Sequence, residues 1–573
     1  MKKLLISFSA ILFLLVGCED KFLDLDDLDS LTESAFFDDP TDFEAATNAL
    51  YDDMQSRGEF EYITDFGTDF NAWTQLYGQG TNTIENEDSF WNAGYSSLRN
   101  INIVLEKAEQ YEGNASEITE YVAVSHFFRA WQHFTLLRRF GGVPIVNEVI
   151  QIDSESLYGP RNSRYEVVEA VLADLDVAFA GLPSSIESGD TGKISKWAAQ
   201  ALRARVLLYE GTWEKYVGNA TDFQGSVENN KSAAYISEAV TAAKSVIDNG
   251  GYELFNFNNE LDNLSYRYLF VLEDGASNPA GLDKSSNKEF IIQNIYDFDL
   301  KRPGDNLPHA TGGRNSPTQS FLDLFLNLDG LPIDKSPMFE GYAKMSTQFI
   351  NRDYRMISYF GDNLPEDGSL VLPPPGSTSL SSLINRKFQV YNYPVYREAG
   401  QEGWNYPQLR LAEVYLTYAE ALYERDGSIS DADLNLSLNK VRERAGIAPL
   451  TNILASTNNL DMLEEIRRER SIELYMENNR YNDLKRWGIA EEVLGADLIG
   501  AVITDTEYEN NTDLYNPSLF AFGTTTYESG VGPVEATIID PSTARQFSIK
   551  NYLFPIPTNQ IQLNPALVQN PGW

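Results

Sequence analysis

The sequence predicts a mainly α protein, in which a scaffold of paired helices packs against a loop-rich region with short strands. Three observations predict it. Apolar residues recur at helical spacing over about 41–56, 92–110, 117–139, 164–180, 195–213, 231–249, 408–425, 430–445 and 459–480. Two of these segments are apolar on more than one face, as helices packed on both sides must be. Between about 250 and 405, and again from about 490 onward, Pro, Gly, Asn and Ser become frequent and the periodicity fades.

The first residues read as a processing segment. Lys2 and Lys3 precede an apolar run from Leu4 to Val16, too short to span a bilayer comfortably and suited to a secretory signal peptide over 1–17. Small residues then lead into Cys18, in an order that resembles a bacterial lipobox, so Cys18 is the expected lipidation site. It is the only cysteine, which leaves an acylated chain with no thiol for a disulfide, a metal or a nucleophile. Residues 18–30 form an acidic tether with Glu19, Asp20, Asp24, Asp26, Asp27 and Asp29. Residues 31–573 read as one domain, with the helical scaffold over about 41–250 and 408–490 and the loop-rich part over about 250–405 and 490–573.

Within 408–425, Leu411, Tyr415, Tyr418 and Leu422 form one stripe, and Ala412, Leu416 and Ala419 form another beside it. Segment 195–210 repeats the pattern with Ala198, Ala201, Leu202, Ala204 and Leu207. Small residues at helical spacing let neighbouring helices approach closely. That alternation suits stacked hairpins of the tetratricopeptide kind, here as divergent repeats without the strict signature. In the loop-rich part, 289–296 reads as a short strand.

The net charge is −40, so nucleic acid and anionic lipid surfaces are disfavoured partners and a neutral ligand is not penalised. Catalytic patterns do not assemble. His126 and His133 lie seven apart without the partners of a zinc site. Gly189–Lys193 lacks the first glycine of a phosphate loop, and Ile194 stands where its magnesium-holding hydroxyl belongs. No G-x-S-x-G elbow is present. Glu465, Glu469 and Glu473, with Arg468, Arg470 and Lys485, read as structural ion pairs between packed helices. No cofactor or metal is expected, and the chain is expected not to be an enzyme.

A neutral ligand such as a glycan would need aromatic faces flanked by hydroxyl-binding groups. Trp73 leads the candidates, because it lies in a polar, glycine-flanked segment with Asn71 and Tyr77. The loop after the strand at 289–296 supplies the second set, Tyr296, Arg302, His309 and Arg314. Trp404 is the third, with the alternative that it merely covers the helix that follows.

Seven motifs in order then resemble one family. They are Phe128-Arg129-Ala130 through Phe140-Gly141-Gly142-Val143-Pro144; Ser316–Asp323 with Asp329-Gly330-Leu331-Pro332; Asn351-Arg352-Asp353-Tyr354-Arg355; Leu409–Val414 with Tyr418–Ala421; Val441–Gly446; Ile466–Arg470 through Arg480 to Trp487; and Tyr552–Pro557 with Asn570–Trp573. Together they resemble the SusD/RagB family of outer-membrane nutrient-binding lipoproteins. The resemblance implies four tetratricopeptide-like helix pairs, a loop-rich ligand face, and a SusC-like TonB-dependent transporter as partner. It implies delivery of oligosaccharides to that transporter, or in a RagB-like branch of peptides; a surface glycoside hydrolase is the remotest reading. The acidic tether resembles the export tag that sends lipoproteins of the Bacteroidetes group to the cell exterior, so the expected location is the outer membrane, lipid-anchored and facing outward.

Overall fold

The computed structural model describes residues 37–54, 64–72, 74–151, 153–187, 191–224, 230–300, 316–361, 383, 385–388, 402–511 and 520–573. Helix accounts for 49 % of it and strands are few, so the protein is mainly α. Six longer helices lead: α1 (Pro40–Ala49), α2 (Ser89–Glu109), α3 (Thr119–Phe140), α4 (Arg164–Gly181), α5 (Lys196–Tyr216) and α6 (Ser232–Asn249). Four of them, α1, α2, α4 and α5, start after side-chain caps. Asp88 accepts from Phe90 and Trp91 before α2, Ser163 and Glu166 form a capping box at α4, and Ser195 caps α5. Each helix from α2 to α6 packs on its neighbour in sequence.

The loop-rich part follows, with β1 (Phe290–Asn294), α7 (Gln319–Leu324) and α8 (Tyr354–Phe360). The chain then returns to the scaffold through β2 (Tyr406–Arg410), α9 (Leu411–Asp426), α10 (Leu438–Arg444), α11 (Met462–Glu473) and α12 (Arg480–Arg486). Helix α9 packs on α6, α5 and α11, so the late helices extend the early stack. Alanines make this close approach possible: Ala198, Ala204, Ala239, Ala243, Ala412 and Ala419 are all buried at these interfaces.

Four details differ from the sequence reading. Segment 408–425 opens as strand β2, antiparallel to β1, and becomes helical only at Leu411. Segment 430–445 breaks at Ser437, whose backbone is not helical. Segment 459–480 ends its helix at Glu473, because Met476 and Asn478 take left-handed conformations. The irregular stretch near 500–550 contains a three-stranded antiparallel sheet, ordered β3 (Leu498–Val502), β5 (Gly532–Asp540), β4 (Thr524–Ser529).

There are two main cores. The larger lies between the helices. The smaller is aromatic-rich, lies under the loop-rich part, and includes Phe70, Phe270, Phe321, Phe360, Trp404 and Tyr475. Where the loop-rich part meets the scaffold, buried ions join the elements. Glu473 at the end of α11 accepts from Arg410 (2.6 Å), Arg444 (2.6 Å), Arg355 (2.9 Å) and the Tyr266 hydroxyl (2.8 Å). Glu289 before β1 also pairs with Arg410 and Arg444, and Glu477 pairs with Arg410 and Lys387. Glu469 pairs with Arg355 and Arg442. The acidic face of α11 therefore engages α8, α10 and β2. Arg468 does pair along the helix with Glu465, while Arg470 turns to Asp483. Burial alone would raise the Glu473 pKa, but Arg444, Arg410 and Arg355 outweigh it and hold the carboxyl well below the usual range.

Candidate functional site

The candidate site grows from the segment 64–72, which is clamped from several sides. Asp65 lies at the amino end of α12, and its Oδ2 accepts from the Asn478 N–H at 3.1 Å. Burial pushes its carboxyl up to about 7 against the opposing backbone donors of 478, 480 and 481. The Phe70 ring stacks on Phe321 with centroids 4.0 Å apart. Arg480 covers Phe70 at 4.2 Å and binds Asp69 through two nitrogens, at 3.0 and 2.8 Å. Asn71 donates to the Asp65 carbonyl at 2.9 Å and accepts from the Tyr475 hydroxyl at 3.2 Å.

This segment is then joined to the loop-rich part by backbone. Asn71 and Pro317 form an antiparallel bridge, the Ala72 N–H donates to the Ser316 carbonyl at 2.8 Å, and the Thr318 N–H donates to the Phe70 carbonyl at 3.1 Å. Trp73 is the next residue after Ala72, and residues 301–315 end immediately before Ser316. The flanks of two regions that the sequence singled out separately are therefore bonded to each other.

The other end of the loop is fixed just as firmly. The Tyr296 N–H donates to Asn405 Oδ1 at 3.1 Å. Lys284 Nζ ties the Tyr296 and Gly403 carbonyls together, each at 2.6 Å. Asp297 accepts the N–H groups of Asp299 and Leu300, and the chain leaves the core there, with Leu300 90 % exposed.

The candidate residues separate into three groups. Trp73, Arg302, His309 and Arg314 lie outside the described residues. Asn71, Tyr296 and Trp404 are buried, which corrects their reading as ligand contacts. Asn71 is consumed by the clamp, Tyr296 anchors the loop, and the Trp404 ring stacks inside the core on Phe388 with centroids 5.5 Å apart. Tyr77 is half-buried and packs edge-on against Tyr481 at 5.3 Å, so it supports the segment more than it offers a face. The sequence reading missed the half-buried amides beside Tyr296. Asn405 donates to Gln293 at 3.2 Å and Gln408 to Asn294 at 2.6 Å, and Gln293 and Asn294 lie within the predicted strand itself. His133 is structural: its Nδ1 donates to the Arg129 carbonyl, its Nε2 accepts from Val146 N–H, and burial holds its pKa at about 4. Among the described residues, no group of three or more His, Cys, Asp or Glu is placed to hold a metal, and no helix is long and apolar enough to cross a membrane.

The segment 64–72 thus rests on a stacked-helix scaffold and is bonded to the loop-rich part at Ser316 and Pro317, and this junction is the candidate site of a helical protein. The chain belongs to the SusD family: the model of that description matches residues 274–573, and one described as starch-binding, associating with the outer membrane, matches residues 21–208. It is similar to SusD-like protein P2 of Formosa agariphila, 27 % identical over 529 residues that cover 86 % of this chain and 92 % of that protein. Among solved structures, it resembles a SusD-like carbohydrate-binding protein from Bacteroides fragilis, with a TM-score of 0.72, 22 % identity, and coverage of 93 % of this chain and 99 % of the other. A laminarin-binding SusD-like protein also matches, with a TM-score of 0.61, 21 % identity, and the same two coverages. At these identities the solved structures establish the fold.

Proposed function

We propose that this chain is a lipid-anchored outer-membrane protein that captures oligosaccharides and passes them to a SusC-like TonB-dependent transporter. The observation that carries the binding reading is the bonded junction of Ala72 with Ser316, whose immediate neighbours in sequence are Trp73 on one side and the segment with Arg302 and Arg314 on the other. An aromatic ring packs against the C–H face of a pyranose, and flanking arginines and amides bond its hydroxyls. The negative net charge disfavours anionic ligands and leaves neutral glycans unpenalised. The starch-binding description of the matched family and the laminarin-binding relative support the same ligand class.

Isothermal titration of the full chain against a panel of neutral oligosaccharides and peptides tests the reading. Saturable heat with an oligosaccharide is expected, and Trp73→Ala should weaken that binding by about 1–3 kcal/mol, the loss of one anchoring aromatic. Heat with peptides alone would overturn the proposal. Anchoring is tested separately. Cys18→Ala should shift the chain from the outer-membrane pellet to the soluble fraction, because no other acylation site remains. Continued sedimentation of that variant with membranes refutes the anchor and leaves the binding reading intact.

A further inference from the structure

A cleft lies away from this junction, between α2, α3 and α4, with a volume of about 690 Å3. That is within the range of small-ligand sites, roughly 300–1,000 Å3. Its walls are aliphatic, formed by Leu105, Ile118, Val122, Val149 and Val177, and no Phe, Tyr or Trp lines it. Its polar base is built around the buried Asp174. Arg129 binds that carboxylate through Nε at 2.9 Å and Nη2 at 2.6 Å, and His126 Nδ1 lies 2.7 Å from Asp174 Oδ1. Asn102 completes the base by accepting from Arg129 Nη1 at 3.1 Å while donating to the Val146 and Glu148 carbonyls.

This arrangement fixes a tautomer. An ionised Asp174 can only accept, so His126 donates from Nδ1, and the neutral ring then carries its lone pair on Nε2. Nε2 has no hydrogen-bond partner among the described residues, and His126 lines the cleft. The Arg129 charge is spent on Asp174, so the base is electrically neutral. The remaining charges facing the cleft, Glu106, Glu109 and Glu148, are exposed carboxylates at its rim, which repel an anion.

We infer that this cleft is a second binding site, for an aliphatic amine whose hydrocarbon body lies along the α2–α3–α4 walls and whose ammonium donates to His126 Nε2. The absence of a Phe, Tyr or Trp face sets it apart from a pyranose site. It takes a different ligand class from the junction of Ala72 with Ser316 and does not depend on the glycan reading.

Titration of hexan-1-amine into the detergent-solubilised full chain, against a detergent blank, tests it, with hexan-1-ol and hexanoate as comparators. Saturable one-to-one binding of the amine is expected, weaker for the alcohol and absent for hexanoate. His126→Phe should weaken amine binding about tenfold, the size of one lost hydrogen bond. Val122→Trp, which fills the cleft from a half-exposed position, should abolish amine binding and leave glycan titration and the unfolding midpoint unchanged. Absence of saturable amine binding, equal affinity for the alcohol or for hexanoate, or amine binding that survives Val122→Trp in a folded chain would each overturn the inference.

Discussion

Replacing Glu473 by Ala is expected to lower stability by about 3–5 kcal/mol, the usual loss when one partner of a buried ion pair is removed. The carboxylate faces three arginines in the dry junction between scaffold and loops, and all four side chains are inaccessible to solvent. Each arginine retains some compensation: Arg410 keeps Glu289 and Glu477, Arg444 keeps Glu289, and Arg355 keeps Asp353 and Glu469. The loss is therefore large without being unlimited. The midpoint of denaturant unfolding measures it, and an unchanged midpoint would show that the network carries no stability.

The same carboxylates set the acid limb. Glu473 and Glu420 titrate below the ordinary value of 4.5 in the fold, Glu420 at about 2, because their arginines outweigh burial. Their contribution is complete above pH 4.5 and drains away as pH falls toward the folded values, since the unfolded chain takes up protons first. Stability should decline below pH 4.5, and Glu473→Ala should make that decline shallower. A variant limb as steep as the parent's would place the acid sensitivity elsewhere.

Gly78→Ala is the second large effect. A Cβ at Gly78 would stand 1.9 Å from the Gly67 carbonyl oxygen, and one at Gly67 would stand 2.2 Å from the Tyr77 ring. The first clash is with backbone, so no rotamer relieves it and the two turns must separate. Overpacking of this kind costs about 1–3 kcal/mol and sometimes more. The separation also disturbs both flanks of Trp73, so the melting temperature and the affinity for oligosaccharide should fall together. Gly427→Ala is the control, because nothing lies within 4 Å of its added Cβ and only the left-handed backbone is strained. A Gly78→Ala chain that melts like the control would contradict the close crossing.

The helices were legible wherever caps and periodicity agreed, as at Ser163 and Glu166, where the predicted and observed starts of α4 coincide. Boundaries failed where distant partners decide. The strand at Tyr406–Arg410 exists because β1 lies beside it, more than a hundred residues earlier, and the left-handed turn at Met476 and Asn478 carries no local sign. For the candidate site, the sequence singled out two segments, and the structure shows only that their flanks are bonded. Trp73 and the loop after Tyr296 were chosen on polarity, but local polarity does not encode exposure. Trp404 sits in a glycine-flanked stretch like that of Trp73, yet its ring is covered by Phe388. The bridge of Asn71 to Pro317 was invisible, because it unites segments far apart in sequence through backbone groups common to every residue.

That bridge has an evolutionary consequence. The chain between Tyr296 and Ser316 is held at both feet through its own main-chain groups, by the Lys284 and Asn405 side chains at one end and by backbone at the other, so neither hold depends on which side chains stand between them. Lengthening such a span adds closure entropy only slowly, about 0.6 kcal/mol per doubling. Descendants can exchange this stretch wholesale while the ionic junction beneath stays intact, so its sequence is free to drift faster than the architecture that carries it.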